Sequence, residues 1–157
     1  MEPCLAHDVM IAGPGNPGPF TEIAYKESGD IRNSLRRFCV EAKQGDIVLL
    51  RIGTNRILAV GEIADGQPSW NDVFADIDGW DLQHVRRVRW FPEPERVFPK
   101  QALGSRARTF AAVKVPAIRK WVEGLDVAIS EQSRPLKPLP SAAPLLDEGQ
   151  AAAGQTI

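Results

Sequence analysis

The chain has 157 residues, of which 43% are hydrophobic and 25% are charged, and its formal net charge is −1. This length and hydrophobic content are typical of one folded domain with its own core, and they exclude a largely disordered chain. The small net charge argues against binding of nucleic acid over the whole surface, so any such contact must use a local basic patch.

Cysteine usage and hydropathy bear on the compartment. Cys4 and Cys39 are too few for a disulfide framework, which favours a reducing environment. No stretch approaches the roughly 18 apolar residues of a membrane span, and the N-terminus lacks the basic start and hydrophobic run of a signal peptide. We therefore expect a cytoplasmic protein with no membrane partner.

The first predicted strand is Val9 to Ala12, and a loop rich in glycine and proline, residues 13–19, follows it. This loop formally contains the G-x-G-x-x-G pattern of dinucleotide-binding proteins. That pattern needs free backbone amides and a helix that opens on the phosphates. Three prolines remove amides, and no helical period follows before residue 31, so we interpret the segment as a rigid surface loop.

The central stretch predicts a helix followed by a hairpin. The helix Ile31 to Ala42 has an apolar, buried face that includes Ile31, Leu35 and Cys39, with Asp30 as its N-cap and Gly45 after its end. Ile47 to Ile52 reads as a strand covered on both faces. The turn at residues 53–55 then returns the chain as an antiparallel strand, Ile57 to Ala64.

These stretches resemble the core of the PUA-like superfamily, and most closely its EVE domains, which are related to YTH and ASCH domains. The resemblance rests on Gly29-Asp30-Ile31-Arg32-Asn33, on Lys43 to Leu49 and on Ile57 to Ile63. It implies a compact antiparallel pseudo-barrel that reads nucleic acid, often with one modified base in a pocket. It also implies that Asn33, beside that pocket, helps to hold the extruded nucleotide. Without the resemblance, Asn33 is a first-turn residue with a local hydrogen bond.

The segment after the hairpin has the most unusual composition in the chain. Trp70 and Trp80 flank an acidic loop, and a long strand, Leu82 to Phe91, follows with mixed polar and apolar residues on both faces. Such a strand is typical of a barrel in which one end lines a polar pocket. The two tryptophans could stack on a flipped base, or each could instead plug an open end of the barrel. Trp90 and Trp121 are expected in the core.

Two sets of candidate contacts to nucleic acid follow from this interpretation. Carboxylates accept from exocyclic amines, and glutamine both donates and accepts, so the expected readers of the base edge are Asp78, Asp81, Gln83 and His84, next to Asn33, Trp70 and Trp80. Phosphate contacts position a reader without giving sequence preference. The expected phosphate-binding residues are Arg32, Arg36 and Arg37 on the helix and Arg86 and Arg87 on the strand, with Arg89 a further candidate.

Catalytic constellations are not supported. The sequence has no nucleophile elbow and only two histidines, His7 and His84, so a hydrolytic triad is not indicated. Cys4 and His7 would give a zinc ion two ligands without a second pair at suitable spacing. The aspartates between residues 72 and 81 could hold Mg²⁺ in a nuclease, but a solvated acidic loop is the simpler interpretation. We expect no enzyme activity, no metal and no cofactor.

The C-terminal part predicts a closing strand, Thr109 to Val115, and a helix that begins at Pro116 and packs on the barrel. From residue 133 the chain lacks an apolar period, so we expect a domain over residues 1–132 and a disordered tail or linker over 133–157. Such a linker could lead to an effector domain or protein.

The sequence therefore predicts an α+β fold, a compact antiparallel pseudo-barrel with an inserted helix and a C-terminal helix. The expected function is non-catalytic recognition of one flipped, modified base, with modified DNA preferred and a bacterial restriction or defence setting in view. The alternatives are a module that binds modified RNA, and a module that binds a protein or small ligand on the same barrel.

Overall fold

The structure, a computed structural model, describes residues 2–91, 96–99, 103, 110, 112–131 and 134–140. Helices and strands alternate irregularly along this part of the chain. In order they are α1 (Glu2–His7), β1 (Val9–Ala12), α2 (Asp30–Arg36), a π-helical turn (Arg37–Glu41), β2 (Ile47–Ile52), β3 (Arg56–Ile63), β4 (Ser69–Trp70), a 3₁₀ turn (Asp72–Phe74), β5 (His84–Phe91), β6 (Arg96–Val97) and α3 (Pro116–Glu131).

The six strands form one antiparallel sheet. Its main path runs β1-β5-β3-β2, with β4 paired to β5 and β6 paired to β3. The mixed helix-and-sheet class predicted from the sequence is thereby confirmed. Strand β5 pairs with β1, β3 and β4, so it is the strand on which the other parts of the fold converge.

The two faces of β5 contact different cores. Val88 and Trp90 belong to the largest cluster, which includes Leu35 and Phe38 from the inserted helix. On the opposite face, Phe91 packs in a cluster with Ile118 of α3. Val85 belongs to a third cluster, with Val9 and Phe74. Because successive side chains of a strand point to opposite faces of the sheet, helix α2 and helix α3 lie on opposite sides of it.

The inserted helix differs from the prediction in three details. Asp30 is not the N-cap, because the cap is Gly29 with a φ of 55°, and no side chain caps the helix. A left-handed backbone at residue 29 suits glycine, and it carries Asp30 into the first helical turn. The last turn is π-helical, and Ile31 is 43% exposed rather than buried. Leu35 and Cys39 are buried as predicted.

The side chain of Arg86 holds the π-helical turn in place. Its side chain is 1% exposed, and its Nη1 donates to Phe38 O and Ala42 O at 2.7 Å each. Its Nε donates to Asp65 Oδ1 at 2.8 Å. The carbonyls that a π-helical turn leaves without regular helical partners are thus satisfied from β5.

The predictions of four strands hold closely, with β3 lying one residue earlier than predicted, whereas β4 and β6 were not predicted. β1 and β2 have the predicted bounds, and β5 begins at His84 rather than Leu82. The predicted closing strand Thr109 to Val115 is wrong for residues 112–115, which are not in a strand, and Thr109 and Ala111 lie outside the described residues. Helix α3 begins at Pro116 as predicted, whereas helix α1 was not predicted.

Residues 134–140, here called the C-terminal strap, lie along the sheet. Arg134 makes a bidentate ion pair with Asp8, at 2.7 and 2.8 Å, and Asp8 is fully buried. The sequence places these residues in a tail or linker. Most of that expected tail, residues 141–157, lies outside the described residues.

Within the described ranges, none of the helices is both long and apolar enough to cross a membrane.

Candidate functional site

Three of the residues predicted to contact a base meet at the start of β5. Trp70 is paired with His84 across β4 and β5, and their ring centroids lie 5.1 Å apart in an edge-on arrangement. Gln83 precedes His84, and its carbonyl accepts from the amide of Asn71 at 2.9 Å. Strand pairing, rather than a flexible loop, therefore positions this site.

A glycine-rich loop covers these residues. A Cβ atom at Gly15 would lie 1.9 Å from Gln83 Oε1 and 3.0 Å from Trp70 Cη2, so a larger residue would collide with both side chains. Tyr25 is fully buried, and its hydroxyl lies 2.9 Å from Pro14 O and 2.7 Å from Gly18 O. The tyrosine thereby fastens the loop over the site. Burial raises the pKa of Tyr25 to about 12, so its hydroxyl keeps the proton that it donates.

Two polar atoms of the site are buried and have no hydrogen-bond partner among the described residues. They are Gln83 Oε1 and His84 Nε2, on side chains whose residues are 7% and 2% exposed. An unpaired buried polar group costs about 1–3 kcal/mol, so native proteins rarely contain such groups without a reason. Two of them in adjacent residues, beside a tryptophan, mark this cluster as a candidate binding site.

The hydrogen bond of His84 Nδ1 determines whether Nε2 is a hydrogen-bond donor or acceptor. His84 Nδ1 lies 3.2 Å from Ala12 O, and a carbonyl can only accept, so Nδ1 carries the proton. Burial lowers the pKa of His84, against the opposing effect of the bond to Ala12, so the ring is neutral near pH 7. Nε2 is then an acceptor, like Gln83 Oε1, and the site calls for a ligand that brings N–H or O–H donors.

Trp80 and Asp78 lie on a separate hairpin tip. Ile77 and Trp80 exchange backbone hydrogen bonds of 3.0 Å around Asp78 and Gly79, which have φ values of 54° and 86°. An Asp-Gly pair is the expected choice for such a turn, so its backbone conformation accounts for Asp78 without a ligand. Trp80 is 71% exposed and contributes little to the core. Asp81 is half-buried, with its carbonyl close to Gly13.

Asn33 occupies the first turns of α2. Its Oδ1 accepts from Arg36 Nη2 at 3.2 Å, which is the local bond expected without any resemblance to a known family. Arg32 Nη1 donates to Lys26 O at 3.1 Å. The described contacts do not join Asn33 to Trp70, Gln83 or His84.

The structure divides the predicted phosphate-binding arginines between two faces of the sheet. Arg86 is buried among protein acceptors, so its guanidinium is not available to a phosphate in this structure. Arg36 is partly exposed, with Glu22 and Glu41 at 3.8 and 3.9 Å, and Arg37 is half-exposed. Arg87 lies on the opposite face, where its Nη2 donates to Lys137 O in the strap.

Sequence reasoning missed the residues that hold the site from outside. The single tyrosine, Tyr25, fell in a short stretch without a clear period. Asn71 donates from Nδ2 to Pro140 O at 2.9 Å and so links the site to the strap. Asp8 and Arg134 are 126 residues apart, and nothing in either local sequence indicates that they pair.

Metal-ligating clusters and surface depressions do not provide a better candidate site among the described residues. Among the described residues, no group of three or more His, Cys, Asp or Glu side chains is placed to hold a metal ion. A shallow depression of about 600 Å³ lies beside the π-helical turn, but most of the residues that line it are exposed. It contains none of the predicted site residues, and we therefore place the candidate site at the start of β5.

Comparison with known proteins gives one match. The family described as Domain of unknown function (DUF8426) matches residues 19–113, which include Tyr25, Trp70 and His84 but neither Asp8 nor the strap. No curated protein and no solved structure matches the chain. Because the matched segment covers more than half of the sequence, the chain belongs to this family, DUF8426.

Proposed function

We propose that this protein is a non-catalytic reader of nucleic acid that binds one flipped base at the start of β5. The observation that carries the proposal is the pair of buried acceptors without partners, Gln83 Oε1 and His84 Nε2, beside the ring of Trp70. A flipped base brings N–H donors on its Watson-Crick edge and a flat face for stacking. Both features complement what this site leaves unsatisfied.

The chemistry of the acceptors favours a base with an exocyclic amine. Cytosine, adenine and guanine carry such an amine, whereas thymine and uracil do not. Hydroxymethylcytosine adds an O–H donor next to the amine and could satisfy both acceptors. We therefore prefer a modified cytosine in DNA, in the restriction or defence setting that the resemblance to EVE domains implies, with modified RNA as the alternative.

Trp80 is the proposed second stacking surface. An indole that is 71% exposed loses apolar contact with water when it stacks on a base. Base stacking on an aromatic side chain contributes about 1–3 kcal/mol. Its position on the Ile77 to Trp80 hairpin, outside the sheet, allows it to reach a nucleic acid without disturbing the core.

The fold proposed for this function is the PUA-like pseudo-barrel. The antiparallel order β1-β5-β3-β2 and the helix inserted between β1 and β2 support it. The Gly29 to Asn33 segment supports it as well, since it enters that inserted helix. In this arrangement the candidate site lies at the His84 end of β5.

The test is a fluorescence-anisotropy titration of short duplexes that carry cytosine, methylcytosine or hydroxymethylcytosine at one position, with a matched RNA strand. Trp80→Ala and Gln83→Met are the informative variants, and Ile23→Ala is the control, because Ile23 is 82% exposed and apolar. We expect one ligand to bind most tightly, both informative variants to weaken its binding, and the control to match the wild type. Equal, weak binding of all ligands that neither variant changes would overturn the proposal.

A further inference from the structure

The strap lies across a cluster of positive charge on the outer face of β5. Arg87 and Arg89 project from the strand, and Arg134 and Lys137 come from the strap itself. Among the residues that the structure describes, Arg134 is the only one of these four that forms an ion pair, with Asp8. Of these four cations, Arg87 and Arg89 belong to the strand and stay in place when the strap leaves. Glu62 is the residue of β3 paired with Arg89, and Asp8 is the carboxylate that the strap covers.

The strap meets this surface with hydrogen-bond acceptors. Arg89 Nε donates to Arg134 O at 2.8 Å, Arg87 Nη2 donates to Lys137 O, and Asn71 Nδ2 donates to Pro140 O at 2.9 Å. The three acceptors are three residues apart, which is the period of a polyproline II helix. Three of the seven strap residues are prolines, which have no amide to donate.

Neutral carbonyls are the weaker partners for these donors. A phosphate adds the attraction between opposite charges to the hydrogen bonds of the guanidinium, and two phosphate oxygens can match the guanidinium fork. The row of donors also runs toward the candidate base site, because Asn71 follows Trp70 and its amide donates to Gln83 O. A nucleic-acid backbone on this surface could therefore place a base at the start of β5.

We propose that Arg87 and Arg89 of β5 form the backbone-binding surface of the reader, and that the strap is an internal competitor that occupies them in the free protein. The proposal rests on the function proposed above. The strap is fastened by the bidentate pair of Arg134 with Asp8, by Lys137 N donating to Asp8 Oδ2 at 2.9 Å and by Arg134 Nη2 donating to Trp90 O at 2.6 Å. Nucleic acid binds when Arg87 and Arg89 exchange strap carbonyls for phosphates.

The first test uses the unmodified protein. The amide of Lys137 donates to Asp8, so its hydrogen exchange, followed by NMR, reports whether the strap is in place. The proposal predicts faster exchange of this amide when a short DNA duplex is added to saturation. Unchanged or slower exchange in the saturated complex would overturn it, because the strap and the nucleic acid would then be bound together.

The second test releases the strap. Arg134→Ala removes the fastening, and Arg119→Ala, on an exposed position of α3, is the matched control. We expect Arg134→Ala to tighten duplex binding about tenfold, the gain expected if the strap is in place about nine-tenths of the time. The slope of log affinity against log salt should steepen by about 1.8, as expected for two newly available arginines. Adding Arg89→Gln to Arg134→Ala should reverse about half of the change in slope.

The outcomes separate the two proposals. If the wild type binds the duplex, and Lys137 exchange shows that Arg134→Ala frees the strap, unchanged affinity and slope overturn the competition while the reader function stands. If none of the variants binds any nucleic acid, even with the strap released, the reader function itself is overturned. The proposed competition between strap and nucleic acid is then overturned as well.

Discussion

Two arginine–aspartate pairs lie on opposite faces of the same strand, and they differ in what they can do. Arg86 is 1% exposed and is held by Asp65 and by two carbonyls at the end of the inserted helix. The pair of Arg134 with Asp8 joins a fully buried carboxylate to a guanidinium that is 35% exposed. The first pair joins elements of the folded domain, whereas the second fastens a peripheral segment.

The two pairs differ in what happens to the carboxylate when its arginine is removed. The side chains of Arg86 and Asp65 are 1% and 15% exposed, and removing one partner of a largely buried pair leaves an uncompensated charge in a low-dielectric environment. When the strap leaves, by contrast, water can reach Asp8, and the carboxylate regains solvation. We therefore infer that Arg86 is a structural residue and that Arg134 can be released without unfolding the domain.

The largest expected effect is at Arg86. Arg86→Leu would leave Asp65 Oδ1 and the carbonyls of Phe38 and Ala42 without their donor, while Asp65 Oδ2 keeps the amide of Arg87. We expect a loss of about 3–5 kcal/mol in the free energy of unfolding. Urea denaturation measures this loss, with Arg119→Ala as the exposed control. A loss below about 1 kcal/mol would contradict the structural role of Arg86.

A smaller effect is expected at Arg134. Arg134→Ala should lower the free energy of unfolding by about 1–2 kcal/mol, because the strap releases and Asp8 becomes hydrated. Faster exchange of the Lys137 amide should accompany this loss, with little change at core amides of β5. Equal loss of protection at core and strap amides would show that the strap does not release separately from the domain. The Arg134–Asp8 pair would then be as structural as the Arg86–Asp65 pair.

Acid pH should act on the strap through Asp8. Burial opposes ionisation of this carboxyl, but the hydrogen bonds and charges of Arg134 and Lys137 outweigh it and hold its pKa below the ordinary value of 3.8. The stabilisation by the pair is therefore fully present above pH 3.8 and is lost as the pH falls through the lowered pKa. Hydrogen exchange of the Lys137 amide, measured across this pH range and corrected for intrinsic rates, tests whether the strap is released. A strap that is released near neutral pH would contradict the assignment.

A stabilising change is expected at Gln83. Gln83→Met removes a buried acceptor that has no partner and keeps a similar shape, so we expect the free protein to gain about 1 kcal/mol of stability. The same variant should bind nucleic acid more weakly. Thermal and urea denaturation measure the gain, and a loss above about 1 kcal/mol would show that Gln83 is satisfied within the folded protein.

Local pattern was enough to predict most of the sheet. β1, β2 and the hairpin follow from β-branched runs and glycine turns, and the start of α3 follows from Pro116. Local pattern failed for Arg86, which shares a face of β5 with His84, because an arginine in a mixed strand suggests an exposed site. Its burial depends on Asp65 and on the end of the inserted helix, and the sequence does not indicate that these meet.

Local sequence pattern also predicted part of the candidate site. Trp70, Gln83 and His84 lie close together in the sequence and meet through one strand pairing. Asn33 was assigned by resemblance, and the described contacts leave it in its own helix. The contribution of Asp8 and the strap depends on a contact across 126 residues, which no local period or propensity can reveal.

The most direct measurement is the protonation state of His84 by NMR of protein labelled with ¹⁵N in its histidine rings. We predict that at neutral pH Nδ1 carries the proton, donating to Ala12 O, and that Nε2 is an unprotonated acceptor. Saturation with the duplex that binds most tightly should shift the Nε2 resonance toward that of a hydrogen-bonded acceptor. A proton on Nε2 in the free protein, or an Nε2 resonance that the bound duplex leaves unchanged, would contradict the account.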